Sequence, residues 1–168
     1  MSRRLVLALL AVAAVAGLVI AELATSGSGS GEGAAPALPT QVLNGPSVDL
    51  ASLHGTPALV NFWASWCTPC KEEAPAIDHL SRGLRGRARV VGVDYNDTTS
   101  NATAFIRDHG LSYPILRDGS GSVASDYGVT GLPTTFVLNS QGQIVRTLRG
   151  PQTASSLREA LQSAPSNG

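Results

Sequence analysis

An almost wholly apolar run, Ala58-Leu59-Val60-Asn61-Phe62-Trp63-Ala64, leads through Ser65 into Trp66-Cys67-Thr68-Pro69-Cys70, and a charged, helix-compatible segment starts at Lys71. The run is too densely apolar for a strand with one wet face, so it predicts a central strand covered on both sides. Both thiols then lie at a strand-to-helix turn. The free amides and aligned dipoles of a helix start favour negative charge, which lowers the pKa of a thiol placed there and raises its thiolate fraction. Cys67 reads as the attacking sulfur. Cys70, about one helical turn further in, can close on Cys67 as a disulfide or resolve a mixed disulfide with a substrate.

Two other readings of a Cys-X-X-Cys pair have to be weighed. Four-coordinate zinc needs further Cys or suitably spaced His, and this chain has no third Cys and only the scattered His54, His79 and His109. A purely structural disulfide closing so short a loop removes little unfolded-chain entropy and is a weak staple. The pair is therefore read as redox-active, with a non-enzymatic metal-binding or adaptor module as the alternative of another class.

The rest of the chain divides into four parts. Arg3 and Arg4 precede an uncharged apolar run from Leu5 to Ala21, closed by Glu22. This is the short end of a membrane span and the long end of a signal-peptide core. No clean cleavage site lies beyond the run, so residues 1–23 are read as an uncleaved signal-anchor, with a cleaved signal peptide as the alternative. Positive-inside bias keeps the arginines cytoplasmic, and either reading puts the remainder outside the cytoplasm: at the cell membrane on its periplasmic or outer face, or secreted. Residues 24–37, rich in Gly, Ser and Ala, make a flexible linker with a reach of roughly 20 Å. Residues 38–164 form the domain, and 165–168 a frayed tail. A formal charge of zero gives no electrostatic reason to expect nucleic acid.

Within the domain, Gln41-Val42-Leu43 and Val48-Asp49-Leu50 flank Asn44-Gly45-Pro46-Ser47 and read as an N-terminal β-hairpin. The helix after the Cys pair extends to about Leu84, with Pro75 inside it. A second buried strand at Ala88–Asp94 and a helix near Ser100–His109 follow, implying a parallel pair with a right-handed crossover. Tyr113–Leu116 is extended, Ser122–Tyr127 a short helix, Gly131–Leu138 and Gln143–Leu148 an edge hairpin, and Thr153–Gln162 a final amphipathic helix.

Phe62-Trp63-Ala64-Ser65-Trp66-Cys67-Thr68-Pro69-Cys70-Lys71, Pro75 five residues after the second Cys, and Tyr127-Gly128-Val129-Thr130-Gly131-Leu132-Pro133-Thr134-Thr135-Phe136 together resemble the thioredoxin superfamily. More narrowly, the chain is similar to its membrane-anchored, extracytoplasmic TlpA/ResA-like branch. The resemblance implies an α/β fold, a mixed central sheet flanked by helices, with an N-terminal β-hairpin and a central insertion, here about Thr98–Gly121. It implies a cis Pro133 beside the sulfurs, with the Leu132 backbone pairing to an extended substrate; Trp66 reads as core or active-site rim, and Trp66, Leu132 and Pro133 are the expected substrate-binding residues. It also implies thiol-disulfide exchange with exported proteins and recharging by a membrane thiol-electron carrier. Nothing in the residues suggests a bound cofactor.

Two positions depart from the wider superfamily pattern. Asn61 stands where ordinary thioredoxins carry a buried Asp that moves the proton of the second Cys. In the ResA-like branch a glutamate three residues after that Cys takes this place, which is Glu73 here; its bland reading is a first-turn helix acid. Thr134 stands where the subset dedicated to cytochrome c maturation often has an acid, so that role is open but not favoured by this residue. The direction of exchange rests on the resemblance, which favours reduction. A disulfide-forming oxidase or a thiol peroxidase on the same fold is the alternative, although the approach to Cys67 is aromatic rather than the usual peroxidase pattern.

Overall fold

The computed structural model describes residues 33–164. The apolar segment 1–23 and the tail 165–168 lie outside the described residues, as does the linker up to residue 32. Among the described residues no helix is long and apolar enough to cross a membrane.

Seven strands form one mixed sheet: β1 (Gly33–Ala34), β2 (Gln41–Asn44), β3 (Ala58–Trp63), β4 (Arg89–Tyr95), β5 (Ile115–Asp118), β6 (Thr134–Leu138) and β7 (Gln143–Arg149). Their order across the sheet is β1-β7-β6-β3-β4-β5-β2. The helices are α1 (Leu50–Leu53), α2 (Thr68–Leu84), α3 (Thr99–Asp108), α4 (Ser122–Asp126) and α5 (Ala154–Gln162). β3 is central and buried along its whole length, as its uninterrupted apolar run requires. It pairs in parallel with β4 and antiparallel with β6.

Alternate residues of the sheet feed two cores. Leu59, Trp63, Val90 and Ile115 pack with Ile77 and Leu80 of α2, Phe105 of α3 and Leu157 of α5. Val60, Phe62, Val91, Val93 and Leu116 pack on the other face with Leu53, Ala124 and Tyr127. Gly92 has its place because a Cβ there would come within 3.0 Å of the Trp63 ring and of Tyr113. That close approach lets Trp63 stack on Phe105, ring centroids 4.4 Å apart, directly beneath the active-site turn.

The thioredoxin-like architecture and the central insertion match expectation: the insertion supplies α3 and β5, and β5 runs parallel to β4. The N-terminal hairpin does not form. Asp49 and Ser52 make a reciprocal cap, each side chain accepting from the other's backbone amide, and this starts α1 at Leu50. The residues read as the hairpin's second arm are therefore a cap and a helical turn. β2 instead pairs antiparallel with β5, and the Asn44 side chain donates to the Tyr113 carbonyl at 2.9 Å. Gly33–Ala34, at the end of the stretch read as linker, pairs with β7 along its outer edge. Ala35 and Leu38 are buried, and the Tyr127 hydroxyl donates to the Pro36 carbonyl at 2.8 Å.

Candidate active site

The site is built where β3 ends and α2 begins. Cys67 is the N-cap of α2, with extended backbone, and its sulfur accepts the Cys70 amide at 3.2 Å. A sulfur takes here the place that a Ser or Asp oxygen fills in ordinary caps. Pro69 in the first turn is harmless, because its missing N–H would have had no helical partner. Cys67 and Cys70 are joined as a disulfide with Cα atoms 5.3 Å apart. Both are buried, at 6% and 2% exposure, whereas Trp66 beside them is 57% exposed.

A groove opens next to the pair, lined by Trp66, Cys67, Pro69 and Tyr95 on one side and by Val129–Leu132 on the other. None of its lining side chains carries a charge. The Leu132–Pro133 peptide is cis. Around it, the Thr134 hydroxyl donates to the Gly131 carbonyl at 2.7 Å, and the Pro133 carbonyl accepts the Gly150 amide at 2.9 Å. The turn opposite Cys67 is thus held from within and from the end of β7.

Behind the sulfurs lies a buried carboxyl. Cys70 and Glu73 are three apart on α2 and share a face. Glu73 is 2% exposed. Its Oε2 accepts from Asn61 Nδ2 at 3.1 Å and its Oε1 from the Gln152 amide at 2.9 Å. Asn61 also donates to the Thr135 hydroxyl at 2.9 Å. Burial pushes the Glu73 carboxyl up to about 7, against the opposing pull of these two hydrogen bonds. A group poised there both takes and gives a proton near neutrality. As a solvated first-turn acid it would be exposed, and it is not.

The structure thus brings Trp66, Cys67 and Leu132 to one groove, with Pro133 at its edge and Cys70 and Glu73 buried. Three contributors were not singled out from sequence. Tyr95 lies against Trp66, centroids 6.4 Å apart. The Asp97 carboxylate accepts the Ser65 amide at 2.8 Å. Gln152 reaches Glu73 from 79 residues away. For Tyr95 and Asp97 a signal existed: Tyr95 ends, and Asp97 follows, a strand parallel to β3, at the carboxyl end where open α/β sheets collect their sites. For Gln152 there was none.

A family model, Redoxin, matches residues 30–161, most of the chain and all of this site. The chain belongs to the Redoxin family. Within it, the chain is 35% identical over 143 residues to the thiol:disulfide interchange protein CycY of Rhizobium leguminosarum bv. viciae, covering 84% of this chain and 75% of that one. It is 29% identical over 128 residues to the thiol-disulfide oxidoreductase ResA of Bacillus subtilis, covering 76% and 72%. Among solved structures, StoA from Bacillus subtilis superposes with a TM-score of 0.67 at 28% identity, covering 75% of this chain and 96% of that one. A DsbF homologue from Corynebacterium diphtheriae gives 0.72 at 25%, covering 83% and 96%. This Redoxin-family protein is a thioredoxin-superfamily thiol-disulfide oxidoreductase of the ResA-like kind, with Cys67–Cys70 as its redox-active pair.

Proposed function

We propose that this oxidoreductase works outside the cytoplasm, reduces disulfides in exported proteins, and is held at the membrane by residues 1–23. The observation that carries the chemistry is Glu73, buried on the face of α2 that bears Cys70 and poised near pH 7. In the reductive direction the Cys67 thiolate attacks one sulfur of a substrate disulfide, and the other substrate sulfur leaves as a thiolate that takes up a proton. Cys67 is then bonded to substrate. The Cys70 thiol passes its proton to the Glu73 carboxylate and attacks the Cys67 sulfur, and the second substrate thiolate leaves. Two electrons have moved from the Cys pair to the substrate, and the Cys67–Cys70 disulfide remains for a membrane thiol-electron carrier to reduce.

The uncharged groove supports an extended peptide as substrate, pairing through the Leu132 backbone beside Pro133, with apolar contact to Trp66 and Tyr95. Arg3-Arg4 and the apolar run behind them support the location. The direction is supported by the likeness to the ResA branch, and haem-binding cysteines awaiting cytochrome c maturation are one substrate class within it. An equilibrium titration of the Cys67–Cys70 pair against glutathione or dithiothreitol tests it. A midpoint near or below the thioredoxin value of about −270 mV is expected, and one near about −120 mV would make the protein a disulfide-forming enzyme. Cys70→Ser is expected to abolish turnover and to trap substrate on Cys67.

A further inference from the structure

At the active-site end of the sheet, strand register sets out a row of side chains. Trp63 of β3 lies opposite Asp94 of β4, Asp94 opposite Arg117 of β5, and Arg117 opposite Gln41 of β2. Residues paired in this way point to the same face. Asp94 is wholly buried, and neither of its oxygens has a hydrogen-bond partner among the described residues. Its one nearby opposite charge is Arg117, whose Nε stands 3.9 Å from Oδ2. A carboxylate so placed favours a cation kept close by, which confines the guanidinium.

The confined guanidinium has two further contacts. Nη1 donates to Gln41 Oε1 at 3.3 Å, and Nη2 donates to the backbone carbonyl of Asp97. Asp97 in turn spans two segments: Oδ1 accepts the Thr98 amide at 2.9 Å, which starts α3, and Oδ2 accepts the Ser65 amide at 2.8 Å. Ser65 directly precedes Trp66 and Cys67. Gly119 leaves the space for this arrangement, because a Cβ there would run into the Arg117 guanidinium.

We propose that Arg117 is a positioning residue for thiol-disulfide exchange: by holding the Asp97 backbone it fixes the carboxylate that holds Ser65, and so keeps Cys67 at the amide end of α2. The proposal rests on the exchange activity alone, not on its direction or location. Its physical basis is a difference between the two redox forms. In the oxidised protein the disulfide ring itself ties Cys67 to the helix. In the dithiol that ring is open, and the approach to Cys67 is held by the Ser65–Asp97 bond and by the Cys67 amide on the Ala64 carbonyl, 3.1 Å. The clamp therefore stabilises the reduced form, with its thiolate against the Cys70 amide, more than the oxidised one. Removing it favours the disulfide and slows Cys67.

The full-length protein in detergent, as wild type, Arg117→Gln, Arg117→Lys and Gly119→Ala, tests this through two readouts. These are the equilibrium constant against glutathione and the second-order rate of reduced Cys67 with a small aromatic disulfide at pH 7. Arg117→Gln and Gly119→Ala are expected to shift the equilibrium about tenfold toward the disulfide, about 30 mV for two electrons, and to slow Cys67 by about fivefold. Arg117→Lys is expected to recover part of both, since one ammonium keeps the charge but cannot span Asp94 and the Asp97 carbonyl together. A merely structural Arg117 would lower the melting temperature of both redox forms alike and leave both readouts at wild type, which overturns the proposal. Gly119→Ala, which changes no charge, overturns it by the same result should Arg117→Gln fail to fold. If the wild type exchanges and the folded variants match it, only the clamp is refuted; a wild type that does not exchange refutes the oxidoreductase assignment and the clamp with it.

Discussion

Of the buried carboxyls around the active-site turn, Glu73 lies behind it and Asp94 beside it, and burial pushes both of these up to about 7. They arrive there differently. Glu73 is hydrogen-bonded through both oxygens, and those bonds pull against desolvation. Asp94 has no hydrogen bond among the described residues; repulsion from Asp97 and Asp118 adds to its desolvation, and only Arg117 opposes them. A similar affinity for the proton therefore says little about role. What separates the two is the neighbour each one governs: Glu73 shares a helix face with Cys70, whereas Asp94 faces an arginine that braces a loop.

Neutralising each acid in turn separates their roles. Glu73→Gln is expected to lower turnover at pH 7 by about 100-fold, the usual scale for a lost proton acceptor, while the first attack by Cys67 stays close to wild type. Rapid acid quenching would then show the mixed disulfide accumulating. Asp94→Asn, which loosens the Arg117 guanidinium without touching the sulfurs, is expected to slow turnover by no more than about fivefold; a loss equal to that of Glu73→Gln would mean that both acids serve the sulfurs.

Stability against pH registers both acids together. Unfolded Glu ionises near 4.5, whereas folded Glu73 keeps its proton to about 7, so between these values the folded form holds more protons. Stability is then highest below the lower value and falls as pH rises through the upper one, by on the order of 3 kcal/mol from this group. Asp94 adds a loss of the same sign from 3.8 to about 7. Urea denaturation at a series of pH values should show the combined slope, and each neutral variant should remove its own share.

Smaller effects test the surroundings of Glu73 and of the groove. Asn61→Ala takes away one donor to the carboxylate, so the Glu73 titration seen in the pH–rate profile should move further alkaline, at a stability cost of about 1–2 kcal/mol. Trp66→Ala should leave stability unchanged and raise KM for a peptide substrate about fivefold with little change in kcat. A fall in kcat instead would place Trp66 in the chemistry rather than on the rim.

Much of this was legible in the sequence wherever the cause was local. The apolar run into the Cys pair announced a buried strand and two thiols at a strand-to-helix turn, and the resemblance singled out Glu73; the cap made by the Cys67 sulfur came only with the structure. Tyr127 to Phe136 announced the second side of the groove. What escaped was decided across the sheet. Asn44-Gly45 turns the chain in either reading, but the partner β2 takes is an edge some 70 residues later, and Asp49 with Ser52 had already committed the next residues to a helix. Tyr95 and Asp97 gain their neighbours only because β4 lies beside β3, and Arg117 only because β5 lies beside β4.

The connection between β7 and α5 closes the site from the far end of the chain. Gly150 holds the Pro133 carbonyl and Gln152 holds Glu73. A polypeptide emerging N-terminus first therefore presents both thiols while the segment that holds the Glu73 carboxyl is still unmade. Until residue 152 has followed, the nascent molecule carries cysteines that can be oxidised or cross-linked while Glu73 still lacks the amide that holds its Oε1, so the thiols exist well before their surroundings are complete.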